Sequence, residues 1–208
     1  MLDPPRSNRP ERRSALVALE LQRLDIDIAA LSEIRFADTG SLEERSVGYT
    51  MFWSGKPENE RRLSGVGFMI KSKIVTKLES LPTGHSDRIM QMRLNLENNQ
   101  HATLFSVYSP TLQADIAEKE KFYNDLRTYV SKAPAGDKIF ILGDFNARVG
   151  KDAESWRGVL GNHGIGKRNE NGLLLLEFCA ELQMTITNTL FQQKNRLKTT
   201  WMHPRSKH

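Results

Sequence analysis

Apolar positions along this chain recur at two different spacings, and the switches between them mark out its elements. Val17, Leu21 and Leu24 return at helical spacing with Arg12, Arg13 and Arg23 left for the outer face, which predicts an amphipathic helix. Asn8, Pro10 and Glu11 stand ahead of it at cap and first-turn spacing. A short apolar strand follows over residues 26–33, with Asp25 and Asp27 at its start and Glu33 at its end. From Gly48 the period becomes two: residues 49–53 and 65–70 read as strands joined by a polar loop carrying Lys56, Arg61 and Arg62. Residues 89–96 and 101–108, linked by Glu97-Asn-Asn-Gln100, predict a second hairpin whose alternation leaves Arg93 and Asn95 facing water. Ser109-Pro110 ends it.

Helical spacing returns over residues 112–131, where Phe122, Leu126 and Tyr129/Val130 share a face, and Pro134-Ala-Gly136 stops that helix. The four apolar residues Ile139 to Leu142 then predict a strand buried on both faces, with Gly143 allowing a close backbone approach at its exit. Asn169-Glu-Asn-Gly172 opens a helix over residues 173–182, residues 182–189 read as a further strand, and residues 194–198 as a basic turn. His163 reads as a solvent-facing residue of a glycine-rich loop, with no second His or Cys at metal-ligand spacing. Strands alternating with helices, with hairpins among them, give an α/β (α+β) fold: a layered β-sandwich flanked by helices.

Composition adds bounds. A chain of 208 residues can build one domain with a sizeable core, so a single domain over residues 1–208 is expected. The net charge of +5 and pI of 9.4 suit a polyanion partner but are shared by many proteins that have none. One cysteine, Cys179, excludes an intramolecular disulfide and a cysteine-built zinc site, and its apolar helical setting marks a buried thiol. No apolar run approaches the ~20 residues of a membrane span, and nothing in the first residues resembles a signal peptide. The expectation is a soluble, intracellular protein with no membrane partner.

Candidate chemistry collects where strands end. Asp144 and Asn146 are two residues apart, so if extended geometry continues past Gly143 a carboxylate and an amide point the same way. That pair suits a phosphate held with or without a metal, and equally a polar turn. Glu33 leaves a buried strand either paired with Arg35 or committed to a cation. Tyr108 belongs to the core or to a site. Asn169 and Asn171 serve as helix caps, at a helix start that also favours phosphate.

Gly143-Asp-Phe-Asn146 is similar to the Gly-Asp-(Phe/Leu)-Asn signature of the endonuclease/exonuclease/phosphatase superfamily, which includes abasic-site endonucleases and the endonuclease domains of non-LTR retrotransposons. Leu31-Ser-Glu-Ile34, Gly65-Val-Gly67, Val107-Tyr-Ser-Pro110, Asn169-Glu-Asn-Gly172 and Thr200-Trp201 with Pro204 resemble further motifs of that superfamily in its own order, most nearly those of the RTE-type retrotransposon members. The likeness covers essentially the whole chain. It implies a DNase I-like fold and a metal-dependent phosphodiesterase that cuts DNA, with Mg²⁺ as cofactor and Mn²⁺ as a substitute, DNA as partner and the nucleus as compartment. It also implies roles: Glu33 and Asp144 as metal ligands, Asp144, Asn146 and Tyr108 as catalytic residues, and Asn146, Asn169 and Asn171 as phosphate-binding residues.

A complete superfamily domain begins with an Asn-bearing strand before the first helix and ends with an Ile-Asp-Tyr strand and a Ser-Asp-His motif, none of which stands in this sequence. The expectation is an incomplete fold with unpaired sheet edges and weakened or absent turnover. Two other functions stay open: a catalytically dead nucleic-acid-binding or protein-interaction module, and a lipid or inositol phosphatase of the same superfamily.

Overall fold

The computed structural model describes residues 11–194 and residue 198. The Asn8 and Pro10 cap, the Arg12 side chain and the Thr200, Trp201 and Pro204 motif lie outside the described parts. The backbone gathers into two compact units, one of residues 1–109 and 115–144, the other of residues 110–114 and 145–208.

The first unit is a sandwich of two four-stranded sheets. Helix α1 (Glu11–Arg23) leads through a tight turn into β1 (Ile28–Ser32). Strands β2 (Thr39–Glu44), β3 (Tyr49–Ser54) and β4 (Val66–Lys71) join β1 in the antiparallel order β1-β4-β3-β2. A single helical turn, α2 (Ser72–Val75), leads to β5 (Thr83–Ser86), β6 (Ile89–Asn95) and β7 (His101–Tyr108). Helix α3 (Ile116–Ser131) then crosses over to β8 (Lys138–Asp144), which pairs parallel to β7 and closes the order β5-β6-β7-β8.

Period-two patterning explains the two cores. Phe52, Val66, Phe68 and Ile70 from one sheet meet Met90, Met92, Ala102, Leu104 and Tyr108 from the other. The residues between them in sequence, Tyr49, Met51 and Met69, turn to the opposite face, where Ala18 and Leu21 of α1 cover them. Each large side chain so buried contributes about 1.5–3 kcal/mol. Helix α1 buries Ser14, Ala18 and Leu21, whereas Leu24, expected on that face, falls beyond the last turn and is half exposed. Two hydroxyls bridge the sheets: Ser106 donates to the Gly67 carbonyl (2.9 Å) and Ser32 to that of Val107 (3.1 Å).

Four expectations need correction. Strand β8 is not buried on both faces: Phe140 and Leu142 are 47% and 37% exposed, because β8 ends its sheet among the described residues. Arg93 does not simply face water. Its guanidinium makes a two-pronged bond to Asp137 (2.8 and 2.9 Å), whose side chain is only 3% exposed and also accepts from Thr103. Arg93 holds that carboxyl well below the usual range, down to about 2, with Thr103 helping and burial opposing. Extended geometry does not run past Gly143, since β8 stops at Asp144 and Asn146 is left-handed with φ 48°. Residues 182–189 form no strand: Ile186 makes one isolated bridge to Leu160, and Thr187–Thr189 curl into a 3-10 turn whose Thr189 hydroxyl accepts from the Gly161 amide.

In the second unit, α4 (Glu170–Glu181) buries Leu175, Leu176, Phe178 and Cys179. Burial pushes the Cys179 thiol up to about 11, as its apolar setting foretold.

Candidate functional site

Strand ends carry the first group of candidate residues. Strand β1 stops at Ser32, and Glu33 adopts φ 54° while Arg35 adopts φ 60°, a left-handed zigzag that ordinary side chains rarely take. The zigzag is tied down: the Ile34 and Arg35 amides donate to the carbonyls of Gly65 and Ser64 (3.1 and 3.0 Å), extending the β1–β4 ladder. Such strain persists only where its surroundings over-determine it, and it presents Glu33 at the rim of the sandwich.

Tyr108 and Arg35 both meet the Glu33 carboxylate. The Tyr108 hydroxyl donates to Oε1 (2.8 Å), and Arg35 Nη2 lies 3.0 Å from Oε2. Tyr108 is 5% exposed with its ring in the core, so it serves both readings made of it: core residue and site residue. Glu33 likewise carries the Arg35 ion pair while staying 44% exposed, which leaves its carboxylate open to solvent.

Asp144 stands directly opposite Tyr108 in the parallel β7–β8 register, and residues opposite each other in a sheet project on the same face. Tyr108 therefore links the two acids: its hydroxyl bonds Glu33 and its strand position is the neighbour of Asp144. Strand β1 also contacts β8 directly. Gly143 explains how Asp144 is delivered. It has φ 144°, and a Cβ there would overlap the Val107 carbonyl, so the close approach it allows is to the adjoining strand. The Asp144 carbonyl accepts from the Ser109 amide (2.9 Å), fixing the strand exit.

Arg88 is a site neighbour that sequence reasoning missed. Its guanidinium lies 5.5 Å from the Tyr108 ring centroid, donates to the Tyr108 carbonyl (3.1 Å) and pairs with Glu118 of α3 (2.6 Å). The Tyr108 amide in turn donates to the Arg88 carbonyl (3.0 Å). No periodicity marks Arg88, since it sits in the turn between β5 and β6.

The asparagines occupy the second unit. Asn169 is the N-cap of α4: its Oδ1 accepts from the Gly172 amide (2.8 Å) and from the Arg148 amide (3.0 Å). Asn171 is 1% exposed, and its Nδ2 donates to the carbonyls of Pro110 (3.1 Å) and Asn146 (3.2 Å). Its Oδ1 is buried with no hydrogen-bond partner among the described residues. Gly172 is required here, because a Cβ would overlap the Arg148 carbonyl. An open cleft lined by Leu112, Arg168, Asn169, Glu170 and Leu173 lies at this helix start. Asn146 takes a left-handed turn that asparagine tolerates better than most residues.

Residues 2–199 match the Endonuclease/Exonuclease/phosphatase family, and the chain belongs to that family. Over 189 residues it is 33% identical to Craniofacial development protein 2 of Bos taurus, covering 91% of this chain and 31% of that protein. The same protein of Tragulus javanicus is 31% identical over 189 residues, 91% of this chain and 32% of its own length. The chain thus spans about a third of the curated relatives it matches. Among solved structures it is similar to the AP endonuclease LMAP from Leishmania major, with a TM-score of 0.47, 17% identity, and 68% and 52% of the two chains covered.

Proposed function

We propose that this chain is a metal-dependent phosphodiester hydrolase acting on DNA. The observation that carries the reading is the Tyr108–Glu33 hydrogen bond of 2.8 Å beside Asp144 in register on β8. Family membership, the motif order and the net charge of +5 support it.

The donor set fits Mg²⁺. This ion keeps several waters and takes only one or two carboxylates, so Glu33, 44% exposed, and Asp144 suffice although the described residues hold no cluster of three His, Cys, Asp or Glu. When bound, the ion would supply charge to polarise a phosphate, and Mn²⁺ would substitute. Tyr108 holds the Glu33 carboxylate in one orientation by donating to it. Asp144 accepts a proton from the attacking water. In the second unit, Asn146 and Asn169 are the residues the family motifs would assign to phosphate, and Asn171 anchors the Asn146 carbonyl there. The motifs shared with RTE-type elements support descent from a retrotransposon endonuclease domain, and action on DNA implies a nuclear location.

Nicking of supercoiled plasmid with Mg²⁺ tests the reading, run beside Glu33→Ala and Asp144→Ala. Nicking that needs the ion and is lost in both variants is the expected result. Absence of nicking by the parent chain, or nicking indifferent to both substitutions, overturns it. The Arg35–Glu33 ion pair favours one second reading, a nucleic-acid-binding module without turnover, because it already neutralises the acid a metal would use. Retention of DNA by the parent chain without any nicking would select that reading.

A further inference from the structure

Two consecutive residues of the turn between β5 and β6 reach Glu33 by separate routes. The Asp87 carboxylate accepts from the buried Ser64 hydroxyl, and the Asp87 carbonyl accepts from the Gly65 amide (3.0 Å). The Ser64 and Gly65 carbonyls in turn accept from the Arg35 and Ile34 amides, which hold the left-handed zigzag that begins at Glu33. Gly65 fits this join closely: it has φ 123°, and a Cβ there would lie 3.0 Å from the Arg35 amide nitrogen. Along the other route, the Arg88 carbonyl accepts from the Tyr108 amide, and its guanidinium lies over the Tyr108 ring, whose hydroxyl donates to Glu33 Oε1.

The two routes close into a ring. A single planar peptide unit joins Asp87 to Arg88. The routes meet again at Glu33, one at its backbone and the other at its carboxylate. The turn is itself anchored: the Ser54 hydroxyl donates to the Ser86 carbonyl (2.8 Å), Ser86 Oγ accepts from the Arg88 amide (3.1 Å), and Arg88 pairs with Glu118 of α3. With its side chain 22% exposed, Arg88 directs its charge inward. A carboxylate fixed through both its backbone and one oxygen needs no reordering when it meets a cation, which is what preorganisation of a ligand means.

We propose that the Asp87–Arg88 turn is the positioning element of Glu33: Asp87 fixes the backbone through Ser64 and Gly65, and Arg88 fixes the carboxylate through Tyr108. Both are positioning residues, each acting through another side chain or strand. The inference rests on the phosphodiesterase reading for its catalytic consequence alone.

Nicking rate, DNA retention and amide hydrogen exchange, measured on the whole chain, test it. Arg88→Met should slow nicking about ten-fold, as Tyr108→Phe does, raise the Mg²⁺ concentration required and leave DNA retention unchanged. In the Tyr108→Phe background it should add nothing, because both changes act on one hydrogen bond. Asp87→Ala should slow nicking in either background and quicken exchange at the Ile34 and Arg35 amides, which Arg88→Met leaves as they were. Asp87→Asn, which keeps an acceptor for Ser64, should recover most of the rate. Should Arg88→Met fail to fold, Arg88→Lys carries the same comparison. An Arg88 effect that adds to Tyr108→Phe or weakens DNA retention would make Arg88 a direct phosphate contact and overturn the proposal, as would Ile34 and Arg35 amides indifferent to Asp87→Ala. A parent chain that nicks nothing while those amides respond sinks the hydrolase reading alone and leaves the brace on Glu33 standing.

Discussion

The two groups of candidate residues differ in what their polar atoms are doing. Glu33 and Asp144 sit at strand ends, with Glu33 44% exposed and Asp144 exposed, and their sandwich stands whether or not those carboxylates do chemistry. Asn169 and Asn171 bond the backbone of their own unit, Asn169 capping α4 through its Oδ1 and Asn171 buried between the Pro110 and Asn146 carbonyls. A strand end can therefore lose its side chain and keep its fold, whereas the asparagine cluster cannot. The acids face solvent while the asparagines bond backbone, and burial separates the two groups.

Substitutions can break or sharpen that contrast. Glu33→Ala should lower plasmid nicking by about 10²–10⁴-fold while shifting stability by less than about 1 kcal/mol, measured by gel assay and thermal unfolding on one preparation. Equal losses in both measurements would erase the distinction. Asn171→Ala should do the reverse in kind, costing about 2–3 kcal/mol by removing both hydrogen bonds of a buried side chain, which for a chain of this size lowers the melting temperature by roughly 4–12 °C.

Asp137→Asn serves as a control within the sandwich and away from both groups. Its loss should cost about 2 kcal/mol at neutral pH, since a largely buried acid gives up its Arg93 partner. Because the folded state holds this carboxyl at about 2 against an ordinary 3.8, the stabilisation is complete above pH 4 and disappears as pH falls towards 2. Parent and variant unfolding curves should therefore converge over that interval and stay apart at pH 7. Tyr108→Phe should give the smallest effect, about ten-fold in nicking and about 1 kcal/mol in stability, as one hydrogen bond to Glu33 is lost while the ring stays packed.

Much of the sandwich was legible because its central strands alternate cleanly. Met51, Phe68, Met90 and Leu104 are where period two places them, and α3 and α4 begin at asparagine or aspartate caps. Strand β2 escaped notice because Thr-Gly-Ser-Leu-Glu-Glu has one apolar residue and lies at a sheet edge, where pairing rather than side-chain burial holds it. The short β5 was hidden for the same reason. The apolar run in β8 was misread because four hydrophobic residues signal burial only if neighbours exist on both faces. Of the candidate site, motifs supplied Glu33, Tyr108, Asp144 and the asparagines. The Arg88 stack on Tyr108 could not be read from sequence, since it joins a turn to a strand end 20 residues away. Likewise, only coordinates distinguish an asparagine locked in the interior from one facing a ligand.

Cys179 gives the molecule a built-in reporter. Its thiol is 6% exposed, titrates near 11, and is the one cysteine of the chain, so alkylating reagents should meet it only when helix α4 opens. The rate at which it is labelled at neutral pH then clocks breathing of the second unit, with no engineered probe and no interference from the sandwich.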